Sequence, residues 1–286
     1  MQPNTHVVTI DYRGFGHSTG SPTEAGLIAD GTALVNWVLH TAGIPPENIV
    51  LLGQSLGTAV SSAVALNFID PSNDLIPNSR HEFSPLLNNE QQIAKPTAFA
   101  GVILVAPFSS LPSLLLTYRL GGLVPILGPL RPFPGVGSAL TSRMTDKWPS
   151  AKRLAAYYRS FASQPDLLRS VSGGEGPSRG RDMGMLQLIH AKTDMDISYH
   201  QTEMICAEIF GHDAASAYVA GDEDLLIDVR GEDKPRVKVQ IVEHGGQLHD
   251  SLWCYIFLLT IDAAHNRIMT YSTVAIAVAR AFGDHY

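Results

Sequence analysis

The chain has 286 residues, 45% of them hydrophobic and 16% charged, with a net charge of −7 at pH 7. That balance buries a sizeable core, excludes a disordered chain, and lacks the basic surplus of a nucleic-acid binder. Two cysteines, Cys206 and Cys254, make neither a disulfide framework nor a metal cluster, and the opening residues carry no secretory leader, so an intracellular setting is expected.

In chain order, residues 6–11 read as a short buried strand, and 12–22 as a turn-rich loop. Residues 23–40 read as a helix: Thr23 can cap it, and Leu27, Ile28, Leu34, Val35 and Val38 recur at roughly helical spacing. An apolar strand over 49–52 enters Gly53-Gln54-Ser55-Leu56-Gly57, and a helix of small residues follows. Residues 67–99, rich in Asn and Pro, are expected to project from the surface. Residues 101–107 form a third strand ended by Pro107. In 108–163, proline and glycine interrupt apolar pieces; this is read as a lid over an apolar pocket, with ordinary core helices as the other reading. Residues 164–183 are a loop, 185–190 a strand, 191–196 the loop at its end, 202–210 a helix, 236–242 an alternating last strand and 268–282 a closing helix. Strands alternating with helices predict one α/β domain over 1–286, with a mostly parallel, doubly wound sheet and the lid inserted at 108–163. The longest uncharged apolar stretches, 120–130 and 251–261, fall short of the roughly 20 residues that span a bilayer.

Strand, Gly53-x-Ser55-x-Gly57, then helix is the order a nucleophile elbow needs. The turn must be tight enough to lift the Ser55 hydroxyl clear of the backbone. The N–H of Leu56, at a helix start, then faces the place where an oxyanion would form. A serine hydroxyl is a weak nucleophile at neutral pH. It needs an imidazole base, and the base needs a carboxylate to hold its tautomer. In an α/β sheet these partners come from loops at the C-terminal ends of later strands, acid before histidine. The candidate acid is Asp194, with Asp196 as the alternative; the candidate bases are His265 and His249, while His244 ends the last strand and reads as structural. No metal or cofactor is implied. Gly14-x-Gly16 lacks the rest of a dinucleotide fingerprint, which sets a dehydrogenase aside.

With these segments placed, the chain resembles the α/β-hydrolases, and among them the abhydrolase-domain lipases that include lysophosphatidylserine lipase, with fungal relatives. The resemblance is carried by residues 11–24, Gly53 to Gly57, Ala106-Pro107-Phe108 and His190-Ala191-Lys192-Thr193-Asp194. It implies an α/β-hydrolase fold, Ser55 as nucleophile, Asp194 as acid, and ester or lysophospholipid substrates, often met at a membrane. Family members carry a His-Gly loop before the strand that here begins at His6, and that loop supplies a second oxyanion N–H. The sequence as given starts after it, so the first strands and any membrane anchor are expected to be missing, with a sheet edge or groove left open. The family's histidine also sits in a short turn directly before the last helix. Here 247–263 intervenes without a place in the pattern; read as a translated intron, its in-frame removal joins Gly245 through an alanine to His265-Asn266 and restores the turn. That favours His265 over His249. The expected function is a serine hydrolase for lipophilic esters, with peripheral membrane contact and no nucleic-acid partner. The alternative is an impaired or non-catalytic protein of the same fold.

Overall fold

The continuous apolar runs of the sequence become the middle of a sheet, as strands buried on both faces require. The structure, a computed structural model, describes residues 5–77, 95–117, 119–120, 124–125, 143–164, 167, 183–194, 196–211, 225–229, 234–242 and 256–261. Its main sheet has seven strands: β1 (Thr5–Thr9), β2 (Val50–Gln54), β3 (Gly101–Val105), β6 (Met185–Ala191), β7 (Leu225–Val229), β8 (Val237–Val242) and β9 (Ile256–Ile261). A small ribbon adds β4 (Arg119–Leu120) and β5 (Val124–Pro125). The sheet order is β1-β9-β2-β3-β6-β8-β7. Its centre, β2-β3-β6-β8, is parallel; β7 joins one edge antiparallel to β8. On that edge Asp228 of β7 is held by Arg236 and Lys238, so the outermost strand carries paired charge, which discourages further pairing.

Two strands escape the sequence reading. The strand β7 was not expected, and β9 falls inside the segment 247–263 that had no place in the expected pattern. Here Ile256–Ile261 lies antiparallel between β1 and β2, with Leu258 in register with both Val8 and Leu51. Ile256–Ile261 thus pairs with β1 on one side and β2 on the other.

Five helices are described: α1 (Glu24–His40), α2 (Leu56–Ile69), α3 (Leu111–Thr117), α4 (Ser150–Ala162) and α5 (His200–Phe210). Thr23 caps α1, its hydroxyl accepting from the Gly26 N–H at 3.1 Å, a contact typically worth about 1 kcal/mol. α1 packs on α2, α2 on α4, and α4 on α5. The burial of Leu154, Ala155, Tyr157, Tyr158 and Phe161 makes α4 an ordinary core helix, so the last part of 108–163 belongs to the core. The stretch 67–99 is likewise rooted in the core at both ends: α2 runs on to Ile69, and Ile69, Ile76, Ala98 and Phe99 are buried. The expected closing helix at 268–282 lies outside the described residues.

The described ends of the segment between β3 and α4 meet at one neck. The Leu111 N–H donates to the Lys147 carbonyl and the Ala151 N–H to the Ser109 carbonyl, tying the two ends together. Beneath them Glu24, at the start of α1, accepts from the N–H groups of Lys147 (2.7 Å) and Trp148 (3.0 Å). Its other oxygen accepts from Arg153 Nη2 at 2.6 Å, and Arg153 also donates to the Leu75 carbonyl. Burial opposes the Arg153 charge and lowers its pKa, with Glu24 pulling the other way. Both side chains are buried, so each charge depends on the other.

Candidate active site

Ser55 follows β2 directly and has φ 49° and ψ −120°, left-handed backbone that a residue with a side chain seldom adopts. Such strain, typically about 1–3 kcal/mol, survives only where the surroundings hold it. Here the Ser55 N–H donates to the Val105 carbonyl at 3.1 Å, extending the β2–β3 ladder one step. Its own carbonyl accepts from the Thr58 N–H and from the Thr58 hydroxyl, at 2.9 and 2.6 Å. The turn is so tight that a Cβ on Gly53 would stand 2.4 Å from the Gly57 carbonyl oxygen. Glycine at 53 is thus required by close backbone approach. Leu56 opens α2, so its N–H is among those with no carbonyl a turn earlier to bond, and it points out of a helix N-terminus. On the neighbouring strand Ala106 also has positive φ, 51°, and its N–H donates to the Ile189 carbonyl at 2.8 Å. Ser55, Ala106 and the end of β6 therefore lie side by side at the C-terminal edge of the sheet.

β6 delivers Asp194. Since β3 separates β2 from β6, the two chain paths are about 10 Å apart, a span for a third group to bridge. Asp194 Oδ1 accepts from the N–H groups of Asp196 (3.0 Å) and Ile197 (2.9 Å). Burial raises the Asp194 pKa; the two N–H donors and His190 work against it, and the charge of Asp196 adds to it. Asp196, the alternative acid, lies two residues on and gives its own N–H to Asp194.

A histidine does stand near Asp194: His190 Nε2 is 3.8 Å from Asp194 Oδ2. It is not available as the base. Nε2 lies 2.8 Å from the Ile197 carbonyl and Nδ1 lies 2.7 Å from the Thr202 hydroxyl. A carbonyl only accepts, so Nε2 carries the proton and Nδ1 accepts from Thr202, and both nitrogens are committed. Burial lowers the His190 pKa, against the Ile197 carbonyl and Asp194. The expected bases His265 and His249 lie outside the described residues, as does His244.

A family model described as the alpha/beta hydrolase family matches residues 2–255. The chain belongs to that family. Human protein ABHD12B is 48% identical over 60 residues, 21% of this chain and 16% of its own length. The lysophosphatidylserine lipase ABHD12 of Danio rerio is 42% identical over 65 residues, 23% of this chain and 16% of its own. The uncharacterized protein YfhR of Salmonella typhi is 48% identical over 54 residues, 19% and 18%. The matches thus span about a sixth of the length of these relatives. A crystal structure of an alpha-beta hydrolase from Vibrio vulnificus aligns over 69% of this chain and 49% of its own, at 17% identity and a TM-score of 0.39. The sheet agrees with the expected mostly parallel α/β architecture of the family.

One buried polar residue between the Asp194 loop and the segment after β3 was not marked by the sequence. Gln201, at the start of α5, is buried; its Oε1 accepts from the N–H and hydroxyl of Ser109 (3.0 and 2.7 Å), and its Nε2 donates to the Ser113 hydroxyl at 3.2 Å. It ties the helix after the Asp194 loop to the start of the segment read as a lid. No spacing rule reveals such a contact, which joins positions 92 apart. Among the described residues no group of three or more His, Cys, Asp or Glu could hold a metal ion. No described helix is long and apolar enough to cross a membrane.

Proposed function

We propose that this chain is a serine hydrolase that cleaves carboxylic esters through an acyl-enzyme. Ser55 is the nucleophile, Asp194 the acid, and His265 the base, with His249 as the other candidate. The base takes the Ser55 hydroxyl proton as Oγ attacks the acyl carbon. The oxyanion that forms is met by the Leu56 N–H at the start of α2. Collapse of the adduct breaks the ester C–O bond, and the imidazolium returns its proton to the leaving alcohol. Water, activated by the same imidazole, then frees the acid and restores Ser55. The observation that carries this reading is the left-handed Ser55 held between strand and helix, strain with no structural use in an ordinary turn.

Two things support a lipophilic acyl group: the apolar, proline-broken stretch after β3, and the lysophosphatidylserine lipase among the similar proteins. A lysolipid or acylglycerol, met in water or at a membrane surface, is the substrate class this favours. The test is pre-steady-state hydrolysis of p-nitrophenyl esters of increasing chain length. An initial burst close to one equivalent of p-nitrophenolate, absent in Ser55→Ala, is expected; turnover untouched by Ser55→Ala would contradict the assignment.

One observation favours the other reading, a non-catalytic member of the family. Because β9 is antiparallel, it brings its N-terminal end to the elbow, with Ile256 opposite Gly53. A parallel strand there would instead open a loop over Ser55 from its C-terminal end, where a second oxyanion donor could stand. Losing one such donor typically costs about 10²–10³ in rate.

A further inference from the structure

We propose that His190 is a positioning residue for Asp194: one buried imidazole locks the acid-bearing loop to both β6 and α5, through the same residue that holds the carboxylate. This rests on Asp194 being the acid of the proposed hydrolase.

Asp194 sits on the loop between β6 and α5, and such loops are mobile unless something fixes them. Its hydrogen bonds from the Asp196 and Ile197 N–H groups fix the carboxylate to its own loop, not the loop to the sheet. The Lys192 N–H, donating to the Val242 carbonyl at 2.8 Å, ties the near end of the loop to β8, and His190 ties its far end. It belongs to β6, its side chain is buried, and its two nitrogens reach the Ile197 carbonyl and the Thr202 hydroxyl on α5. Ile197 is therefore held on both sides of its backbone: the carbonyl accepts a hydrogen bond from His190 Nε2–H, and the N–H donates one to Asp194 Oδ1. Moving the imidazole moves Ile197, and moving Ile197 turns the carboxylate.

The result is that Oδ1 is occupied by backbone donors, leaving Oδ2 as the oxygen for a base. His190 Nε2 lies 3.8 Å from Oδ2, too long for a hydrogen bond. With its proton committed to Ile197, the neutral ring does not compete for Oδ2. The Ile197 carbonyl, which only accepts, selects the tautomer protonated on Nε2, and the Thr202 hydroxyl, donating to Nδ1, holds the ring in that orientation.

The discriminating variants are Thr202→Val, similar in shape but without the donor, and Thr202→Ser, which restores it. In ester hydrolysis Thr202→Val is expected to lower kcat about tenfold or more, with KM within about threefold. Thr202→Ser should return kcat to within about threefold, because the orientation of the acid acts on the transition state more than on substrate binding. In hydrogen exchange of the same full-length proteins, the amides of Asp196 and Ile197 should open about tenfold faster in Thr202→Val and at the native rate in Thr202→Ser. That reading does not depend on turnover. A folded Thr202→Val with native kcat and native exchange at both amides overturns the proposal. If Asp194→Asn is inactive in the same series, the acid assignment survives that failure. Native activity in Asp194→Asn instead removes the acid assignment, and this proposal with it. Should Thr202→Val not fold, His190→Asn gives the same test, since its shorter amide cannot reach the Ile197 carbonyl while still meeting Thr202.

Discussion

Ser55 and Asp194 are each held in a state that costs the fold something. Ser55 keeps left-handed backbone between two hydrogen-bonded flanks. Asp194 keeps a carboxylate where burial opposes its charge. The sign for Asp194 follows from linkage. Its folded pKa is raised above the ordinary value of 3.8, so its contribution to stability is full at low pH and is lost as pH rises through that value to the folded pKa. At pH 7–8 the ionised group is therefore a burden. Asp194→Asn keeps an oxygen for the Asp196 and Ile197 N–H groups while removing the charge. It is expected to melt at or above the native temperature at pH 7.5 and to lose about 10³–10⁴-fold in kcat. A calorimetric scan beside an ester assay reads both; a lower melting temperature with full activity would place the acid elsewhere. At this scale the sequence was legible where close backbone approach dictates local spacing, as in the tight turn at Gly53 and Ser55. It was not legible at His190, whose partners Ile197 and Thr202 come together only when the β6–α5 loop closes.

Elements explain why parts of the family-like segment 11–24 are what they are. Arg13 forms a fork with the Asp30 carboxylate on α1, fixing the loop after β1. Glu24 holds the neck through two backbone N–H groups and Arg153. Glu24→Gln preserves an acceptor but leaves the buried Arg153 without an anion. Breaking such a pair from one side typically costs about 3–5 kcal/mol, so a fall in melting temperature of roughly 6–15 °C is expected by circular dichroism. A fall within experimental error would mean that Arg153 is not buried as a charge. The strand β9 is the element that the sequence reading placed worst. Its apolar run was visible, yet neither helix nor strand could be chosen for it, because its partners β1 and β2 lie some two hundred residues or more upstream. Leu258→Pro removes a ladder donor between two strands and should cost about 1–3 kcal/mol, lowering the melting point by several degrees. An unchanged melt would put 256–261 outside the sheet and strengthen its reading as a segment foreign to the fold.

For the molecule as a whole, the alternation of buried strands and amphipathic helices was enough to indicate a mostly parallel α/β sheet. That signal is local, since each strand buried on both faces is a continuous apolar run. The lid was harder to bound. Apolar helices that pack on the core and apolar pieces that cover a pocket have the same composition, and α4 proved to be the first kind. The proposed reaction rests on one atom, the Ser55 Oγ. The most direct measurement is labelling of the purified full-length chain with a fluorophosphonate probe, with the adduct mapped by mass spectrometry and Ser55→Ala as control. A single phosphonylated residue at Ser55, absent from the control, is the expected result. A chain that melts cooperatively yet takes no label, or takes it elsewhere, would contradict the serine hydrolase assignment.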